Sequence, residues 1–169
     1  MGQTVLILLY LGDRHALAPK AEAGRLWTHQ LQLTIADLVS EAHETHHPIS
    51  AELYYEDQKR EAALRAKHFR GSRIPKFLNC FEEVLARNPR GSSYLVGGRI
   101  TYADLSLFQV VEGLMYAFPF SMKRVKAPRV MELQQAVARR PRIRAYLASE
   151  RRIPFNVEGI FRHYPELEA

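Results

Sequence analysis

Gly98-Arg99-Ile100-Thr101-Tyr102-Ala103-Asp104-Leu105 is the stretch that decides the fold class. Thr101 stands directly before an apolar run, and Asp104 follows three positions later. That is the spacing of a capping box: the Thr101 side chain accepts from the amide of Asp104 while the Asp104 carboxylate reaches back to the amide of Thr101. Ile100 and Leu105 flank the cap as a hydrophobic staple. Two amides that a bare helix start leaves unpaired are thereby satisfied. The pattern predicts a central helix from Thr101 to Tyr116.

Outward from this point the chain reads as helices separated by short turns. Asn88-Pro89-Arg90-Gly91 and Gly97-Gly98 are turn chemistry upstream of the cap. Further upstream, Ala62, Ala66, Phe69, Arg73, Phe77, Phe81 and Val84 or Leu85 trace one stripe from near Tyr55 to Leu85. Pro75 interrupts it, which predicts a kink or two abutting helices. Trp27, Leu31, Ile35, Leu38 and Ala42 recur at helical steps and predict an amphipathic helix of about seven turns, stopped by Pro48. Thr4 to Leu11 is apolar and ends at Gly12, a natural C′ residue; here periodicity does not separate strand from helix. Downstream, helices are expected at Arg129 to Arg139 and Ile143 to Ser149, followed by an ordered, aromatic-rich tail.

A chain of 169 residues with 47% hydrophobic and 25% charged residues fits one globular domain. It contains no run of eighteen apolar residues, and its start lacks the features of a secretory signal, so the expected location is the cytoplasm. Cys80 lies at helical spacing among apolar residues and reads as a buried structural thiol. The net charge of +6 is uneven: residues 1–60 hold five Lys/Arg against eight Asp/Glu, and the rest hold nineteen against ten. Arg139, Arg140, Arg142, Arg144, Arg151 and Arg152 carry much of the surplus. Arg139 and Arg140 close a helical pattern, where cations complement the dipole. No nucleic-acid-binding signature accompanies them, so neither nucleic acid nor membrane is an expected partner.

With Tyr94-Leu95-Val96-Gly97-Gly98 before it and Leu107-Phe108 after it, the capping box closely resembles the G-x-x-(I/L)-T-x-A-D signature of glutathione transferase C-terminal domains. Gln3-Thr4-Val5-Leu6-Ile7-Leu8-Leu9-Tyr10-Leu11 resembles the segment that opens the last helix of that family's thioredoxin-like domain. Ile35-Ala36-Asp37-Leu38 matches an acidic position on the first helix of the helical domain in alpha- and sigma-like classes. Arg73-Ile74-Pro75-Lys76-Phe77-Leu78 is similar to their kinked second helix.

The resemblance implies an all-α bundle of about five to six helices, preceded by a remnant helix. Residues 1–12 would be that remnant, 13–20 a linker, and 21–169 the helical domain with its tail. It implies glutathione as co-substrate, a hydrophobic electrophile, a homodimer, and no bound cofactor. The family's thiolate-stabilising residue falls before residue 1, so no catalytic residue is assigned and the chain alone is expected to be inactive. Gln3 and Thr4 would donate to the γ-glutamyl carboxylate, and Asp37 would meet the γ-glutamyl ammonium of the partner subunit. Read without the resemblance, Gln3 and Thr4 are a helix start and Asp37 is a solvated charge beside Glu41.

His43, His46 and His47 follow on one helix, and the i, i+4 spacing of His43 and His47 is that of paired helical zinc ligands. No third ligand is evident in the sequence, and capping of the helix C-terminus explains the three rings more simply, so no metal is expected. The resemblance places His43 and His47 against the electrophile pocket, with Phe155 and Phe161 of the tail as its lid. Otherwise these phenylalanines cap the core. The alternative to an enzyme half is a non-catalytic module for protein interaction or ligand binding.

Overall fold

The computed structural model describes residues 2–168. Eight α-helices follow one another: α1 Thr4–Arg14, α2 Glu22–His43, α3 Lys59–His68, α4 Ile74–Arg87, α5 Tyr102–Ala117, α6 Pro119–Met122, α7 Pro128–Ala138 and α8 Pro141–Leu147. No strand occurs among the described residues, so the all-α expectation holds and Val5 to Leu11 is helical.

Helix α5 is the centre. Ala103, Leu107, Val111 and Leu114 are fully buried; α2 and α7 pack against this helix and α4 packs against α7, so that Leu31, Ile35, Leu38, Phe77, Phe81, Val130 and Leu133 join one core. Its capping box forms as the spacing predicts. The Asp104 carboxylate accepts from the Thr101 amide at 2.6 Å and from the Thr101 hydroxyl at 2.7 Å. Its other oxygen accepts from the Leu95 amide at 2.7 Å, so the same side chain also ties down the preceding loop. Burial pushes the Asp104 carboxyl above the usual range, opposed by these hydrogen bonds.

Helix α2 is six turns long and ends at His43, short of Pro48. It stops where the Thr45 hydroxyl takes the Ala42 carbonyl at 2.7 Å and the chain turns. Trp27, expected on the buried stripe, is 40% exposed, whereas Thr28 and Gln32 are buried. The interrupted stripe resolves as α3, a π-turn over Phe69–Arg73, and α4 with Pro75 in its first turn. The wider turn accommodates the proline ring and absorbs the missing amide. On α4 the buried face runs through Ile74, Phe77, Leu78, Phe81 and Leu85. Cys80 therefore projects to the opposite side and is exposed, not buried. Glu82 caps the start of α7, accepting from the Val130 amide at 3.1 Å and from Arg129 at 2.9 Å.

Helix α1 runs two residues past Gly12. Gly12 is not its C′ residue; it is the buried contact over which the Tyr102 ring lies, and a Cβ there would overlap that ring. The left-handed position falls on Ala16, with φ 55°. The tail folds back over the bundle: Tyr164 stacks on Tyr55 at 3.9 Å, and Glu168 accepts from the amides of Phe120 and Ser121 at the start of α6.

Candidate functional site

An apolar cleft of about 590 Å³ lies where α1, α2, α5 and the tail meet. Thr4 and Leu8 come from α1, Gln32, Ile35 and Val39 from α2, and Leu105, Ser106, Gln109 and Val110 from α5. Phe155, Gly159, Ile160 and Phe161 contribute the tail side. Each wall has a local cause. Residues 32, 35 and 39 share a helical face, as do 105, 106, 109 and 110. The tail is seated by Phe161 on the bare backbone of Gly113, and by Phe155, which stacks on Tyr116 at 4.9 Å. Arg152 lies over the Phe155 ring and pairs with Glu112 at 3.4 Å.

Gln32 is the polar feature that sequence reasoning missed. Its side chain is 3% exposed, and its Oε1 has no hydrogen-bond partner among the described residues. An orphaned acceptor in an apolar site costs about 1–3 kcal/mol, so it is poised to take a donor from whatever fills the cleft. In the sequence it is a glutamine next to the apolar stripe of Leu31, Ile35 and Leu38, and nothing in its spacing separates a buried glutamine from a solvated one.

Thr4 opens onto this cleft. Gln3 is the N-cap of α1 in the left-handed region at φ 63°, and its side chain does not cap the helix. The first-turn amides of α1 are thus free of a side-chain cap, the arrangement that suits an anionic group. Asp37 is outside the cleft, exposed, one turn before Glu41. Glu41 takes the charges: Arg73 holds it with contacts of 2.6 and 2.8 Å, and Arg65 approaches to 3.4 Å. The Arg73 hydrogen bonds hold the Glu41 carboxyl below its usual range. Asp37 has no ion pair among the described residues.

Phe155 and Phe161 both line the cleft, whereas His43 and His47 do not. The three histidines gather at the end of α2, with ring centroids 4.7 to 4.9 Å apart. None of their rings reaches the last carbonyls of α2 in a hydrogen bond; Thr45 does that, and His46 Nε2 instead donates to the carbonyl of Ile160 at 2.8 Å. Burial depresses all three rings, His46 to about 4. A wider groove of about 1050 Å³ runs past Lys20, Arg25, Arg90 and Arg99. Thr101 is the single expected site residue there, and its hydroxyl is committed to Asp104.

Comparison with known proteins agrees with this architecture. Glutathione S-transferase P 1 of Xenopus laevis is 26% identical over 152 residues, covering 89% of this chain and 64% of its own length. A Pi-class glutathione S-transferase of Onchocerca volvulus superposes with a TM-score of 0.69 at 21% identity, over 87% of this chain and 64% of that one. Prostaglandin synthase D of Nilaparvata lugens superposes with a TM-score of 0.71 at 20% identity, over 91% and 70%. The chain spans 38% to 64% of the length of the curated relatives it matches. The family model for the glutathione S-transferase C-terminal domain matches residues 43–150. With that match joined to the capping box, the kinked α3–α4 unit and the helical bundle, the chain belongs to the glutathione S-transferase family through its C-terminal domain.

Proposed function

We propose that this chain is the helical half of a glutathione transferase and supplies the pocket for a hydrophobic electrophile. One observation carries the reading: a single apolar cleft brings Thr4, which the family resemblance assigns to glutathione, together with Phe155 and Phe161, which it assigns to the electrophile. In this reading residues 1–12 are the end of a thioredoxin-like domain and 13–20 the linker. Gln3 and Thr4 hold the γ-glutamyl carboxylate at the open N-terminus of α1. Asp37, exposed and unpaired, meets the γ-glutamyl ammonium of a second subunit. The chain works as a dimer in the cytoplasm; no described helix is long and apolar enough to cross a membrane.

Within the cleft the side chains do three things. Ile35, Val39, Val110 and Phe161 desolvate the apolar part of the electrophile, at about 25 cal/mol per Å² removed from water. Gln32 accepts a hydrogen bond from a polar substituent and so orients it. The tail covers the bound molecule and excludes water from the reacting centre. Holding two reactants side by side is the chief contribution this half makes, since orientation converts an encounter into an intramolecular step.

The test is displacement of an apolar fluorescent dye by an S-aryl glutathione conjugate, which occupies both halves of such a site. Val39→Trp fills the cleft and should weaken the conjugate at least tenfold without altering the helical circular dichroism. Unchanged affinity in that variant would remove the cleft from the mechanism. Displacement by the aryl thioether alone, with no gain from its glutathione part, would instead favour a ligand-binding module. That second reading has its own support: α1 leaves Leu6, Ile7, Tyr10 and Leu11 exposed, a face suited to a protein partner.

A further inference from the structure

The end of α2 carries a feature that the transferase reading does not use. His43 is the last residue of α2, and the turn Glu44–His47 curls back on it. The amides of His46 and His47 both donate to the His43 carbonyl at 3.2 Å, and the Thr45 hydroxyl holds Ala42. Backbone geometry therefore fixes three imidazoles around one point. The His43 and His47 rings stack with an interplanar angle of 11°, and His46 stands edge-on to both. One nitrogen from each ring lies within 4.8 Å of the others. The turn brings the His46 ring beside His43 and His47, which helical spacing alone does not do.

We propose that His43, His46 and His47 form a site for a divalent transition metal of the zinc class, with three imidazole ligands and a fourth position open to solvent or ligand. Tetrahedral zinc with bonds near 2.0–2.1 Å needs nitrogens about 3.4 Å apart, so small rotations of the ring side chains suffice. Two further observations point the same way. His46 Nε2 donates to the Ile160 carbonyl, which fixes its tautomer and turns a bare Nδ1 lone pair inward. That is the outer hydrogen bond that metal-binding histidines characteristically make. The inward Nδ1 of His46 meets Nδ1 of His47 at 2.5 Å, closer than an ordinary nitrogen–nitrogen hydrogen bond. A proton given by one of these nitrogens to the other is what a metal ion would displace.

The surroundings choose the class of ion. Arg162 bears on all three rings, and Glu44, the carboxylate next to His43 in the chain, is engaged by Arg65 at 2.6 Å. A hard cation held by charge, such as calcium or magnesium, gains nothing here, whereas zinc, copper or nickel binds through neutral imidazole. The site does not depend on the glutathione reading, since it shares no ligand with the cleft.

The experiment is a zinc titration of the tag-free chain in a Cys80→Ser background, in competition with a chromophoric chelator. The expected result is one equivalent bound, weakened at least tenfold by His43→Asn and by His47→Asn, and unchanged by His68→Asn. His43 and His47 are chosen because their rings are half-buried, so both variants should keep wild-type circular dichroism. Cobalt substituted for zinc should show the visible bands of a tetrahedral site. Wild-type affinity in the His43→Asn/His47→Asn double variant, or no bound equivalent in the parent chain, would overturn the proposal.

Discussion

Helices α1 and α5 are both rich in apolar residues, yet they end in opposite situations. Ten of the sixteen residues of α5 are buried, while only Gly12 of α1 is. Helix α1 rests on α2 and α5 through Val5, Leu8, Leu9 and Gly12, and turns Leu6, Ile7, Tyr10 and Leu11 outward, each 37–48% exposed. The apolar content of a helix thus sets how much surface must be covered, not whether the chain at hand covers it. What distinguishes α5 in advance is its cap: a buried carboxylate organises its start, whereas α1 begins at a glutamine with positive φ.

The sharpest way to break this contrast is Asp104→Ala. It leaves the amides of Leu95 and Thr101 and the hydroxyl of Thr101 without their shared acceptor inside the protein. We expect a loss of about 3–5 kcal/mol in chemical denaturation, since each buried orphan costs about 1–3 kcal/mol. A loss under about 1 kcal/mol would mean that the cap does not anchor α5. Next is Gly113→Ala, whose added methyl overlaps the Phe161 ring. Overpacking should cost about 1–3 kcal/mol, and proteolysis should accelerate between residues 150 and 162. If the midpoint falls but cleavage of the tail does not quicken, α5 has shifted in place of the tail. The smallest expected effect belongs to α1. Leu6→Glu with Ile7→Glu should change monomer stability by about 0.5 kcal/mol or less per site. It should also abolish concentration-dependent self-association in sedimentation velocity. Unfolding of the double variant would show that this face is covered within the monomer.

Much of the bundle was legible because its signals are local. The cap at Thr101, the stripe from Leu31 to Ala42 and the break at Pro75 each act within a few residues. The misreadings have a common cause. Conformational freedom suggests a C′ role for Gly12, but its position is set by a ring ninety residues away, Tyr102. Cys80 shares helical spacing with core residues yet falls on the far side of α4, because the register is fixed by Phe77 and Phe81. The histidine group shows the same limit. Helical periodicity pairs His43 with His47 but gives no account of His46, whose place depends on a turn after the helix ends. Of the residues that line the cleft, family resemblance names Thr4, Phe155 and Phe161 as binding candidates. It does not name Gln32, since a buried glutamine and a solvated one have the same letter.

The tail contacts have a consequence in time. Arg70 with Glu168, Tyr55 with Glu166 and His46 with Ile160 join residues 98, 111 and 114 positions apart. Closing such long loops is entropically slow relative to zipping adjacent helices, so these contacts form late in folding. The contacts that close last hold segments with little local structure of their own, and those segments open most readily in the native state. The tail side of the cleft, Ile153 to Phe161, belongs to this late-closing segment and is expected to open before the helical walls do. Residence time in the cleft would follow the opening rate of residues 150–162, and any ligand bound there would slow hydrogen exchange along that segment.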